Sequence, residues 1–182
     1  MSIGKGLFGY FDLYEWYVET FSEEEKNEFK SIYKNDEDFE ELVSGNVLSS
    51  HSPNQLHFLF HKIDTLIWHR KFSLALKFIQ KSEEVIGSGS IVEKHFYFSS
   101  CIKFYDDSSP FCNQKKKIEY CIRQIEIGHL ASKLIIDKEL KYKISSPGYN
   151  TYYKFLNDNN QKEEAKKLRA KARKEKWNCN GM

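Results

Sequence analysis

From residue 53 onward, apolar side chains return every three or four positions, the spacing of one face of an α-helix. Leu56, Phe60, Ile63 and Ile67, with Leu59 and Leu66 beside them, mark one helix. Pro53 is placed to open it, since a first turn does not need the N–H that proline lacks. After a tight turn at His69–Lys71, Phe72, Leu74, Ala75, Leu76, Phe78 and Ile79 mark a second helix, antiparallel to the first. Gly87-Ser88-Gly89-Ser90 interrupts the pattern. Val92, Phe96, Ile102 and Tyr105 then pair with Ile118, Cys121, Ile122 and Ile125 across the polar insert Asp106–Cys112. Leu130 to Ile144 reads as a single added helix, closed by Ser145-Ser146-Pro147-Gly148. The last pair runs from Pro147 to Leu156 and from Glu163 through Ala165 and Ala172 to Trp177.

The first 52 residues are less regular. Residues 1–9 read as a flexible lead, and Phe11–Phe21 as a short aromatic helix. Ser22 with Glu25 three positions on is a capping box for a helix whose apolar face is Phe29, Ile32 and Tyr33. Residues 36–52 are looser, with one acidic helical turn around Phe39 and Leu42 and then two polar runs, Ser44–Asn46 and Ser49–Ser52. No sustained two-residue alternation occurs, so strands are not expected. Helix pairs recurring behind spacers of differing length are the mark of a solenoid, in which no unit buries its face alone. The expected fold is therefore all-α: a tetratricopeptide-like right-handed α-α superhelix over 53–182, behind an N-terminal helical cap over 1–52, in one continuous domain.

Several segments strengthen this reading by resemblance. They are Leu13-Tyr14-Glu15-Trp16-Tyr17 followed by Phe21-Ser22-Glu23-Glu24-Glu25, a helix pair ending near Lys81–Glu84, and His95-Phe96 through Ser99, Ile102 and Tyr105. Ile118 to Ile125 and the Lys176-Trp177 corner complete the set. In these the chain resembles uncharacterised bacterial tetratricopeptide-like helical proteins. The resemblance implies a binding scaffold with no catalytic residues.

Charge refines the picture. The net charge is only +2, which argues against bulk attraction to polyanions, yet it is unevenly spread. Residues 23–41 are rich in Glu and Asp, and the helix 163–176 carries Lys166, Lys167, Arg169, Lys171, Arg173, Lys174 and Lys176. Homo-oligomerisation through these two regions, head to tail, is one expectation. The four cysteines show no Cys-x-x-Cys spacing and no secretion signal is read, so reduced thiols and a cytoplasmic location are expected. No segment approaches the roughly 20 apolar residues of a membrane span.

Candidate chemistry is sparse. Gly4-Lys-Gly6-Leu-Phe-Gly9 matches a dinucleotide fingerprint in letters only, because no strand precedes it. His57, His61, Asp64 and Trp68 fall at i, i+4, i+7 and i+11, a single stripe beside the core stripe. Two His one turn apart with a carboxylate suit zinc, but no fourth ligand is evident, so no metal and no cofactor are assigned. The preferred reading is a groove wall for an unknown protein or peptide, with His57, His61, Asp64, Trp68, Tyr97 and Tyr153 as contact residues and no enzymatic activity. The alternative is nucleic-acid binding through 163–176, with Lys167, Arg169 and Arg173 touching phosphates or an acidic partner.

Overall fold

A computed structural model describes residues 4–47, 49–136, 146–179 and 182, and among these every regular element is helical. The chain divides into two compact units, residues 1–87 and 88–182. The all-α expectation holds. The boundary expected at 52/53 lies inside the first unit, because the N-terminal helices share a core with the first helix pair.

The first unit runs α1 (Gly6–Tyr10), α2 (Tyr14–Thr20), α3 (Glu23–Lys30), α4 (Asp36–Val43), α5 (Gln55–Trp68) and α6 (Phe72–Val85). The lead expected over residues 1–9 is helical from Gly6 (residues 1–3 lie outside the described residues), and Phe8 explains why. It is wholly buried, stacks on Tyr17 at 4.5 Å and meets Phe58 of α5 edge-on at 5.5 Å. Offset and edge-to-face aromatic pairs of this kind hold more than their buried area alone. Phe21, Phe29 and Phe78 continue the cluster. Gly6 sits at φ +56°, and a Cβ there would lie 2.3 Å from the Leu42 backbone. Glycine thus lets α1 lie against α4, which is what this position of the Gly-x-Gly-x-x-Gly run does. The capping box of Ser22 and Glu25 forms, and Lys77 of α6 reaches Glu25 at 2.6 Å. Asn54, rather than Pro53, caps α5, accepting a hydrogen bond from the His57 N–H at 3.0 Å.

The second unit runs α7 (Ile91–Phe104), α8 (Gln114–Glu126), α9 (Gly128–Ile135), α10 (Pro147–Asp158) and α11 (Lys162–Lys174). The helix expected over Leu130–Ile144 is α9, which begins two residues earlier; residues 137–145 lie outside the described residues. Gln124 of α8 is fully buried and ties three helices together. Its amide donates to the His95 carbonyl at 2.8 Å and to Ser99 Oγ at 2.6 Å, and its oxygen accepts from Ser146 Oγ at 3.0 Å and the Gly148 N–H at 2.7 Å. All four hydrogen-bonding positions of the amide are filled, as a buried polar group requires. A Cβ at Gly148 would lie 2.7 Å from that same oxygen, so glycine opens α10 to it. Tyr149 donates to Glu175, which also accepts from the Trp177 indole N–H at 3.2 Å. The Trp177 ring lies parallel to His95 at 4.8 Å.

The pairs α5–α6 and α10–α11 are built alike. Arg70 (φ +59°) and Asn160 (φ +58°) take the left-handed conformation, 90 positions apart. Lys71 N–H bonds the Leu66 carbonyl and Gln161 N–H the Leu156 carbonyl, both at 2.8 Å. Arg70 and Asn160 N–H bond Ile67 and Asn157, both at 3.0 Å. This is a Schellman turn in each pair. The buried register behind the turn also matches at 90 residues: Leu59 with Tyr149, Leu66 with Leu156, Ala75 with Ala165, Phe78 with Leu168. The middle pair α7–α8 has no such turn, because Asp106–Asn113 lengthens the link, with Lys117 paired to Asp106 at 2.5 Å.

Candidate functional site

The outer side of α5 gathers more of the expected contact residues than any other element. Leu56, Leu59, Ile63 and Leu66 face inward and are fully buried, which leaves the His57–His61–Asp64–Trp68 stripe on the other side. His57 is half-buried, with Nδ1 3.1 Å from Ser52 Oγ. That contact ties the 49–52 bend to the first turn of α5. The rings of His57 and His61 are 4.5 Å apart, and Phe60 stacks on His61 at 4.5 Å. Burial lowers the His61 pKa, reinforced by His57 and Lys62 and opposed by Asp64. Asp64 is half-buried, and Trp68 ends the stripe 84 % exposed.

The other two expected contacts belong to the second unit and part company. Tyr97 is wholly buried, its ring edge-on to Tyr120 at 6.2 Å, so its assignment to a groove wall is corrected to core. Tyr153 is half-buried and lines a shallow cavity of about 390 Å³ with Asn150, Thr151, Lys154 and Asn157. The basic helix α11 is less of a patch than its sequence suggests. Lys167 and Arg173 are exposed, but six residues separate them, which at about 100° per residue places them about 120° apart around the axis. Arg169 is half-buried, and its Nε is enclosed with no hydrogen-bond partner among the described residues. Lys171 bonds the Ile125 carbonyl at 3.1 Å, and Lys166 pairs with Glu163 at 2.7 Å.

The feature that pattern reading missed adjoins the stripe. Leu7, Glu41, Ser49, Ser50, His51, Ser52, Phe58, His61 and Lys62 line a cavity of about 440 Å³. Lys62 donates to Tyr33 Oη at 3.2 Å, and its ammonium lies 5.4 Å from the Tyr33 ring centre and 5.3 Å from that of Phe58. Burial among these rings pushes its pKa down to about 8, with Glu41 acting weakly in the other direction. The available signal was a lysine set between Phe58 and Ile63 on the edge of the core stripe, after a run of serines. Among the described residues, no three His, Cys, Asp or Glu side chains converge as a metal site, and no helix is long and apolar enough to cross a membrane. Comparison with family models, with curated proteins and with solved structures gives no match.

Proposed function

We propose that this chain is a non-enzymatic scaffold that binds a protein or peptide through the outer face of α5, with His57, His61, Asp64 and Trp68 as the contact surface. The observation that carries the reading is Trp68. An indole 84 % exposed at the end of a fourteen-residue helix leaves in water an area that a partner would bury at about 25 cal/mol per Å². Tryptophan is also the residue type most enriched among interface anchors. The Asp64 carboxylate one turn back and the imidazoles two and three turns back supply a polar surround. The helix is pinned by its cap, its Schellman turn and its buried face, so little ordering cost is left for association.

The shared turn and register of α5–α6 and α10–α11 support the further reading that the pairs are degenerate repeats of a tetratricopeptide-type superhelix, as the resemblance implies. The core register recurs at 90 residues while the outer residues change: Thr151, Lys154 and Asp158 stand where α5 has His61, Asp64 and Trp68. Such an array keeps one frame and varies its surface chemistry. Nucleic-acid binding through α11 is the weaker reading, because Lys167 and Arg173 diverge around the helix and Lys166 and Lys171 are engaged within the protein.

The test compares capture from source-cell lysate, with and without nuclease, by the wild type and by a Trp68→Ala, His61→Ala double variant. A protein held by the wild type and reduced at least tenfold with the variant is the expected result, at unchanged helicity and melting temperature. Equal capture by both would sink the assignment to α5. Capture that vanishes with nuclease, and is lost on charge reversal of Lys167, Arg169 and Arg173, would transfer the function to α11.

A further inference from the structure

Lys62 is hard to account for as part of a fold. It stands in the wall of the first unit, its ammonium between the Tyr33 and Phe58 rings, with one neutral hydrogen-bond acceptor and no ion pair among the described residues. Lys62 is half-buried, and an ammonium partly withdrawn from water with only the exposed Glu41 carboxylate acting on it from across the cavity costs free energy that a stability-driven sequence would shed, for instance by placing Met there. The groups around the same cavity are donors or carry hydroxyls: Ser49, Ser50, His51, Ser52 and His61. Two contacts shape the bend that presents them. Ser50 Oγ accepts from the Ser52 N–H at 3.1 Å and donates to no partner among the described residues, and Ser52 Oγ is held by His57. Glu41, the single acidic residue of the lining, is exposed. Leu7 and Phe58 make the rest of the wall apolar.

We propose that this cavity is a binding site for a small phosphate monoester, with Lys62, Ser50 and His51 as the residues that hold the phosphate. A phosphate offers three terminal oxygens to a cluster with more donors than a carboxylate would engage, and its charge supplies the counter-ion that Lys62 lacks. The apolar wall of Leu7 and Phe58 suits the short carbon portion of the ester. The cavity falls within the range of about 300–1,000 Å³ typical of small-molecule sites. The site is distinct from the Trp68 end of α5 and does not depend on the peptide-binding reading, although His61 touches both.

The experiment is a ³¹P and ¹H–¹⁵N NMR titration of the full chain with glycerol 3-phosphate, inorganic phosphate and a short phosphoserine peptide. Saturable shifts with glycerol 3-phosphate are expected, centred on residues 49–52 and 58–62. Lys62→Met should weaken binding about tenfold or more, the scale of a lost charge-assisted hydrogen bond. Ser50→Ala and His51→Ala should each weaken it severalfold, and Lys115→Gln, an exposed lysine of the other unit, should leave it unchanged. Saturation by the peptide and not by the free ester would give the same phosphate chemistry a protein source. Absence of saturable shifts with all three ligands overturns the proposal, as does binding that Lys62→Met leaves intact. If Lys62→Met does not fold, the two loop variants decide: wild-type affinity in both is the overturning result.

Discussion

At the residue scale, Lys62 and His95 each place an ionisable group where its charged form is disfavoured, and the two set opposite ends of the pH profile. The folded pKa of Lys62 is pushed from 10.5 down to about 8, so between about pH 8 and 10.5 the unfolded chain binds more protons than the folded one. Stability contributed by this site therefore rises with pH across that window, and below it the whole cost of the half-buried ammonium is present. Lys62→Met should be at least as stable as the wild type at pH 7, with a gain on the order of 1 kcal/mol. That figure is reduced from the full shift because the site opens to a cavity and loses its bond to Tyr33. The difference between wild-type and variant unfolding free energies should narrow from pH 8 to 10.5; a constant difference would contradict the assignment. Taking the difference removes Cys121, whose thiol burial pushes up to about 12 and which acts in the opposite sense. His95 is pushed down to about 4 by burial against Trp177, with its Nδ1 enclosed and without a partner among the described residues. Its neutral form stabilises the fold above pH 6.5, and that contribution is lost as pH falls toward 4. A residue that costs stability at neutral pH and lines a cavity is where a functional demand is most economically sought.

At the element scale, the turns of α5–α6 and α10–α11 offer a matched pair of substitutions. Both left-handed positions carry side chains, Arg70 and Asn160. A Cβ in that conformation costs roughly 1 kcal/mol, less for Asn, whose short amide tolerates it. Arg70→Gly should therefore stabilise by about 0.5–1 kcal/mol and Asn160→Gly by less, as read from denaturant midpoints at unchanged slope; the reverse order would mean that Arg70 makes a contact that outweighs its strain. These helix pairs were legible in sequence because one face of each is apolar and the other polar, and the His69–Lys71 turn fell where the spacing put it. The capping box at Ser22 was legible for the same local reason. Helix α1 was not, since five residues, two of them glycine, give no periodicity; only the tertiary cluster around Phe8 holds it. Tyr97 was misplaced because α7 is buried on nearly every side, from His95 through Phe104, and a helix without a polar face gives no sign of which residues point outward. The cavity was illegible because it needs the 49–52 bend to return beside Lys62, a relation between residues ten or more positions apart that no spacing rule contains. The Trp68 stripe, lying along one helix, was readable in full.

At the scale of the whole molecule, the division at residue 87 separates charge as well as structure. Residues 1–87 hold nine basic and fifteen acidic side chains, a net −6, and residues 88–182 hold nineteen and eleven, a net +8. The near-neutral total hides two strongly charged halves, which is why retention of nucleic acid by the intact chain would first report non-specific attraction to the second unit. Each half has its own reasons to fold. The first has the aromatic cluster centred on Phe8, Phe29 and Phe78, all fully buried. The second has the Gln124 hub and a core of Tyr149, Leu156, Ala165, Leu168, Ala172 and Trp177. Domains of about 90 residues bury enough surface to stand alone. The two fragments, produced separately, should each give a helical circular dichroism spectrum and a cooperative melt. Gln124→Leu should lower the melting temperature of the second fragment and of the matching transition in the intact chain, because it leaves the Ser146 hydroxyl and the Gly148 N–H without the oxygen that accepts from them, at about 1–3 kcal/mol of lost stability, while the His95 carbonyl keeps Ser99 Oγ. A first fragment that melts normally beside a second that stays unfolded would show that the Gln124 hub is not sufficient, and that the second unit takes its stability from outside its own core.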